Sequence, residues 1–135
     1  MNETGVFLCE KAIIDSRTNM ASLINFYDGI IQPIGFPMVI PNITLVCFFD
    51  KGDDTQDVYE AEMSVSQNSK TIVPSMPSDI NFQGGKFTRL ILEFNGLILQ
   101  NEGELTFDIK IKNPEYNIKK VLKILPSIKI QNGTV

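Results

Sequence analysis

Hydrophobic and polar residues alternate with a period of two along several stretches of the chain. The clearest example runs from Leu105 to Ile111, where aliphatic and aromatic residues alternate with charged residues and threonine. Residues 59–65 alternate in the same way, whereas residues 43–49, ITLVCFF, are apolar on both faces except at Thr44. Alternation is typical of strands that bury one face, and a strand that is apolar on both faces indicates a central, well-covered strand. We find no convincing helix pattern.

Turn residues separate these stretches and indicate the fold class. Glycine and asparagine mark turns at Asn95-Gly96, Asn101-Glu102-Gly103 and Asn132-Gly133. The stretch 32–42, with three prolines, predicts an extended crossing between two sheets. Seven or eight short strands with such turns predict an all-β, antiparallel β-sandwich with Greek-key or jelly-roll-like connections, in one domain over residues 1–135. The other predicted strands are 6–14, 22–28, 86–94, 97–100, 118–125 and 128–131.

Composition removes several classes of function. The chain contains no histidine, so it has no Ser-His or Cys-His pair to activate a nucleophile and lacks the commonest zinc ligand. It also contains no glycine-rich phosphate loop and no GxSxG motif. We therefore expect no catalysis and no cofactor. No segment approaches the roughly 20 apolar residues that span a membrane.

The two cysteines and the N-terminus bear on the cellular compartment. Cys9 and Cys47 lie inside apolar, strand-like stretches, so we expect buried free thiols, with a disulfide as the alternative. Apolar surroundings would also make Cys47 a poor nucleophile. The first residues lack the basic start and apolar core of a signal peptide. These features predict a cytoplasmic protein.

The densest cluster of possible metal ligands lies in the segment DKGDDTQD, residues 50–57. Calcium prefers six to eight oxygen ligands, and acidic loops at the rim of a sandwich can supply them. The spacing does not match an EF-hand, no second acidic loop completes the shell, and aspartate and glycine are also the ordinary residues of a turn. We expect a solvated turn, with a calcium-binding module as the alternative. The four carboxylates are Asp50, Asp53, Asp54 and Asp57.

Charge is segregated along the chain. Residues 1–109 carry a net charge of −9, and residues 110–135 carry +5. The basic segment has no arginine and no aromatic residue other than Tyr116, so we expect no binding of nucleic acid. Lysines in a terminal strand often protect a sheet edge. They could also pair with the acidic stretch 50–62 in the same sheet, or form head-to-tail contacts between copies. The lysines are Lys110, Lys112, Lys119, Lys120, Lys123 and Lys129.

The segment LCEKAIIDSRTNMASLINFYDGI predicts a β-hairpin and resembles the opening of a known family. The hairpin would have an exposed tip at Asp15–Asn19 and a buried body, and its pattern resembles that of small bacterial proteins catalogued as a domain of unknown function. Phe36-Pro37 and the segment Gly103–Phe107 also match, with Leu105 in place of the family's tyrosine. The resemblance covers most of residues 6–130, implies one β-sandwich domain and carries over no catalytic residue. The matching hairpin residues are Leu8, Cys9, Glu10, Ser22, Leu23, Phe26 and Asp28.

Two functions follow as hypotheses. The favoured one is a non-catalytic β-sandwich that acts through protein–protein interaction or self-association, because the chain lacks catalytic groups and its charge is segregated. The alternative is an ion- or ligand-binding module that uses the acidic residues of 50–57. We expect neither nucleic acid nor a membrane as a partner.

Overall fold

A computed structural model describes residues 1–128, which form eleven β-strands and no helix. The all-β class is confirmed. The count exceeds the expected seven or eight because four short strands of six residues or fewer accompany seven longer ones. This part of the chain therefore has no helix that could cross a membrane. The strands are β1 (Asn2–Ile14), β2 (Ala21–Phe26), β3 (Ile30–Ile31), β4 (Met38–Asp50), β5 (Val58–Tyr59), β6 (Ala61–Gln67), β7 (Lys70–Pro77), β8 (Ile80–Asn81), β9 (Phe87–Leu99), β10 (Gly103–Lys112) and β11 (Glu115–Ile124).

The strands form two facing sheets and one small ladder. Sheet A has the order β2-β1-β4-β9, sheet B has the order β3-β11-β10-β6-β7, and β5 pairs with β8. Neighbouring strands are antiparallel except β3 and β11, which are parallel. The long strands β1-β4-β9 and β11-β10-β6-β7 follow the connectivity of an immunoglobulin-type Greek key, with β7 in the second sheet. Of the two predicted connection types, the topology is thus the Greek key.

The core lies between the inner faces of the two sheets. In β10 the residues Leu105, Phe107, Ile109 and Ile111 are buried while their neighbours are more exposed, as the alternation predicted. Phe107 packs against Phe94 of the opposite sheet, with ring centroids 5.6 Å apart. The apolar stretch 43–49 lies in β4, the central strand of sheet A, which confirms the expected well-covered strand.

Two connections differ in how well the sequence predicted them. The stretch 32–42 does lead from sheet B to sheet A, although β4 already begins at Met38. By contrast, the predicted turn at Asn95-Gly96 is wrong, because β9 continues through it to Leu99 and absorbs the predicted strand 97–100. Gly96 adopts a φ of +72° inside the strand, and the register against β4 is unchanged on either side. Of the predicted strand 128–131, residues 129–131 lie outside the described residues.

The start of β10 depends on one glycine. Gly103 has a φ of +133°, and a Cβ there would lie 1.9 Å from the Oδ1 atom of Asn68. That Oδ1 accepts a hydrogen bond from the Glu104 N–H (3.2 Å), and the Asn68 Nδ2 donates to the Glu102 carbonyl (2.9 Å). Glycine lets the asparagine side chain fit against the backbone and hold the corner between β9 and β10.

Candidate interaction surfaces

The four aspartates of residues 50–57 are engaged separately rather than converging on one point. Asp50 accepts a hydrogen bond from the Gly52 N–H (2.8 Å) within its own turn. Asp57 accepts from the Lys51 ammonium group (3.0 Å) and from the Gly84 N–H (2.9 Å). Asp54 accepts from the Tyr59 hydroxyl (2.7 Å) and from the α-amino group of Met1, and Asp53 is exposed.

These contacts give the acidic segment a structural role. The hydrogen bond from Lys51, followed by that from Gly84, holds the pKa of Asp57 below its usual value. Burial, followed by the neighbouring Asp54, raises the pKa of Tyr59 to about 12. In residues 1–128 no three histidine, cysteine or acidic side chains stand close enough to hold a metal ion. Calcium binding by the aspartates stays a prediction.

The lysines near the end of the chain lie mostly on the outer face of sheet B, among acidic partners. Lys112 forms an ion pair with Glu62 (3.0 Å), so one of them does pair with the acidic strand of the same sheet. Lys119 and Lys123 lie in register with Asp108 and Glu104. Lys120 faces the other way, opposite Phe107. The outer face of sheet B is therefore polar and close to charge balance. Lys110 lies opposite Glu62 on this face, and Lys129 lies outside the described residues.

The outer face of sheet A instead carries a cluster of aromatic rings beside polar residues such as Thr44 and Glu93. The ring of Phe7 packs edge-on against Phe26 and Phe48, with centroids 5.8 and 6.1 Å apart. Gly5 lies directly beneath this cluster, because a Cβ there would lie 2.6 Å from the Phe7 ring. Three aromatic rings on neighbouring strands thus cover a face that in sheet B carries charge.

Residues 10–25 form a hairpin arm that leaves sheet A. β1 pairs with β4 only as far as Cys9 and then pairs with β2 alone. At the bend, Asn25 has a φ of +55° and its Nδ2 donates to the Glu10 carboxylate (2.9 Å). At the tip, Arg89 of β9 donates to the carbonyl and to the Oδ1 of Asn19 (2.9 and 2.6 Å). The arm therefore arches over the outer face of sheet A.

The arm corrects one sequence-based expectation. Its body was predicted to be core, yet Ile13 is 45% exposed, Ile24 38% and the adjoining Phe26 55%. The arm instead covers a second buried layer on the outer face of sheet A. Val46 belongs to this layer, because it is fully buried although it faces away from the core between the sheets. The predicted exposed tip is confirmed.

The two cysteines lie on neighbouring strands but on opposite faces of sheet A. Cys47 belongs to the core between the sheets, and Cys9 lies on the outer face in register with Thr44. Both thiols are buried and free, as the first expectation had it, and the alternative disulfide is not formed. Burial raises the pKa of both thiols, to about 12 at Cys47. Neither is therefore a ready nucleophile near neutral pH.

A cleft of about 410 Å³ opens between the tip of the arm and the turn from β8 to β9. Its charged lining residue is Arg89, which already binds Asn19. The cleft therefore brings together no pair of groups that could act as acid and base.

The free edges of the sheets differ in their protection. β7 carries Pro74 and Pro77 and shifts its register against β6. β2 is six residues long, and β11 carries lysines and pairs at its end with β3. These features are the usual defences of edge strands. β9 has thirteen residues without proline or lysine, and β4 is its one ladder partner among residues 1–128.

The hydrogen-bond pattern shows which backbone groups of β9 face outward. The Lys51 N–H donates to the Lys86 carbonyl (2.8 Å), so these two residues form a hydrogen-bonded pair. The register then runs without a shift from Asp50–Phe87 to Asn42–Asn95. Because hydrogen-bonded pairs alternate in an antiparallel ladder, every second residue directs its N–H and C=O away from β4. These residues are Phe87, Arg89, Ile91, Glu93 and Asn95.

Comparison with known proteins adds one finding. The family described as "Family of unknown function (DUF6941)" matches residues 5–119, which include the arm and the glycine corner at Gly103. No curated protein and no solved structure matches the chain. The match covers most of the chain and agrees with the expected resemblance to a family of unknown function. This all-β chain therefore belongs to the DUF6941 family.

Proposed function

We propose that this protein is a non-catalytic β-sandwich that acts through protein–protein contact, by adding a strand of its partner to the free edge of β9. The observation that carries the proposal is the contrast between β9 and the other edges. Within residues 1–128, this long edge without proline, lysine or a register shift offers a row of unpaired donors and acceptors. Strand addition to such an edge is a recurrent mode of protein recognition.

The side chains of β9 support the same contact. Leu90 and Leu92 point inward, pack against the core and are half-buried at the rim of the sandwich. A strand added alongside them would cover the part that is still in contact with water. Burial of apolar area would then add to the main-chain hydrogen bonds.

The proposal also concerns the cellular compartment. Cys9 and Cys47 are free thiols on opposite faces of sheet A, and a reducing compartment would keep them so. Disulfides are rare in the cytosol, where thiols are kept reduced. We accordingly place the protein and its partner in the cytoplasm.

Photo-cross-linking in the native cell tests the proposal. A cross-linking amino acid replaces Asn95, which is exposed and directs its backbone groups away from β4, and a matched variant carries it at Lys110 on the outer face of sheet B. We expect protein adducts from position 95 and few from position 110. Absence of adducts at 95 would contradict the proposal.

A second variant ties any adduct to strand addition. Ile91→Pro removes an N–H that points away from β4, so it breaks no hydrogen bond of the β4–β9 ladder, whereas Ile91→Val keeps that N–H. We expect the proline variant to retain the melting temperature within a few degrees and to lose the adducts. Adducts that persist in Ile91→Pro would indicate a contact of another kind.

A further inference from the structure

We infer that the partner of β9 is a second copy of this chain, paired antiparallel about a two-fold axis that passes between the two Ile91 residues. The inference rests on the proposed function and names the partner. It follows from the order of residues along the outward-facing positions of β9, since a two-fold interface brings one surface against itself.

The register centred on Ile91 is complementary in charge. It places Arg89 of one copy opposite Glu93 of the second copy and repeats this pair on the other side of the axis. All three positions belong to the outward-facing set, so the three facing pairs form up to six backbone hydrogen bonds. Opposite charges directly across a strand pair are stabilising.

Neighbouring registers lose this complementarity. Centring the axis on Arg89 or on Glu93 places two like charges opposite each other, which is destabilising. Centring it on Leu90 or Leu92 leaves one charge of each copy opposite Ile91. The charge pattern of β9 therefore selects one register of self-pairing.

The remaining side chains fit the same register. Leu90 of one copy comes to lie opposite Leu92 of the second copy, on the inner face, and both are half-buried and in contact with the core. The result is a continuous eight-stranded sheet made of two copies of sheet A. Arg89 binds Asn19 through its two terminal nitrogens, which leaves further N–H groups to reach a carboxylate.

Charge exchange at the two positions tests the inference. Sedimentation of the wild-type chain over a range of concentrations should show a monomer–dimer equilibrium. Arg89→Glu alone and Glu93→Arg alone should each raise the dissociation constant about tenfold or more, because both pairs become repulsive. Mixing the two single variants should restore a dimer between them, and the double variant Arg89→Glu/Glu93→Arg should dimerise with itself.

Two control variants separate charge from other effects. Asn19→Gly suits the φ of +59° and removes the Oδ1 that Arg89 contacts, so it tests the arm without changing the charge of β9. Lys110→Glu makes the same charge reversal on the outer face of sheet B. Both should dimerise as the wild type does.

The outcomes distinguish this inference from the proposed function. If Ile91→Pro abolishes the cross-links while the single charge variants dimerise as the wild type does, the register is overturned and strand addition stands. If the wild-type chain is a monomer and position 95 cross-links to a different protein, the second copy is overturned and strand addition again stands. If position 95 forms no adduct, the proposed function fails as well.

Discussion

Sheets A and B bury their inner faces against each other but differ in their outer faces and edges. Sheet B carries an interleaved set of acidic and basic residues outside, with an ion pair between Lys112 and Glu62. Its edge strand β7 contains two prolines, and β11, which β3 covers only at its end, contains lysines. Sheet A carries the Phe7 cluster outside, is partly covered by the hairpin arm and ends at β9, an edge strand without proline, lysine or a register shift. The outer face and edges of sheet B are thus suited to contact with water, whereas part of the outer face and one edge of sheet A are less so.

This difference means that different contacts constrain the residues of the two sheets. In sheet B each side chain contacts either the core or solvent. Substitutions there should therefore change the stability of the fold through packing and through the geometry of the corners between strands. In sheet A, the packing of Val46 depends also on the arm, and the edge of β9 depends also on the proposed partner. Matched substitutions in the two sheets can therefore break or sharpen the contrast.

The largest difference is expected between two glycines with positive φ. Gly103→Ala should destabilise the fold by about 3–5 kcal/mol, because the new Cβ displaces Asn68 and the hydrogen bonds that it makes. Gly96→Ala in β9 should cost about 1–2 kcal/mol, because nothing lies within 4 Å and only the backbone conformation is unfavourable. Urea unfolding measures both. Equal costs would show that the corner is not specially constrained.

A smaller difference is expected between two fully buried valines. Val65→Ala in β6 removes two methyl groups from the core between the sheets and should cost about 2–3 kcal/mol. Val46→Ala removes the same groups beneath the arm. Because the arm can move into the cavity that they leave, this substitution should cost only about 1–2 kcal/mol. The comparison uses the free energy of unfolding from denaturant titration. A larger cost at Val46 would mean that the arm packs as rigidly as the core.

The smallest expected effect concerns acid stability at Asp57. Because Lys51 and the Gly84 N–H lower its pKa in the folded state, the stability that it contributes is present above the unfolded pKa of about 3.9 and is lost as the pH falls through the folded value. Asp57→Asn should therefore lower the melting temperature at neutral pH, and its difference from wild type should shrink below about pH 4. Asp53→Asn, at an exposed carboxylate, is the control. A pH-independent difference would contradict the assigned ion pair.

The same contrast explains what the sequence predicted. Alternation identified the strands of sheet B, since Leu105 to Ile111 have one buried and one solvated face. It failed at the arm, where Ile13 and Ile24 look like core residues but lie half outside. It also failed at Asn95-Gly96, because a typical turn pair was taken into β9 opposite Pro41. In both cases a long-range contact overrides a local signal.

The candidate surface was beyond sequence reasoning for a related reason. Arg89 and Glu93 are four residues apart in a strand, which is an ordinary pattern until β4 is known to occupy one side of β9 and leave the other open. The direction of their backbone groups is known only from the structure, because the hydrogen bond between Lys51 and Lys86 shows which residue pairs of the ladder are hydrogen-bonded. The acidic residues 50–57, which sequence density singled out, serve mostly to tie loops together.

The opposite placement of the two cysteines gives the molecule a pair of native reporters. A thiol reagent reaches Cys9 only when the hairpin arm lifts, whereas it reaches Cys47 only when the two sheets separate. In the limit of fast reclosing, each labelling rate reports the free energy of its own opening. We expect Cys9 to be modified faster than Cys47 under native conditions, and mass spectrometry of the labelled chain would time the two openings separately. The same chain can thus show whether the arm moves independently of the sandwich beneath it.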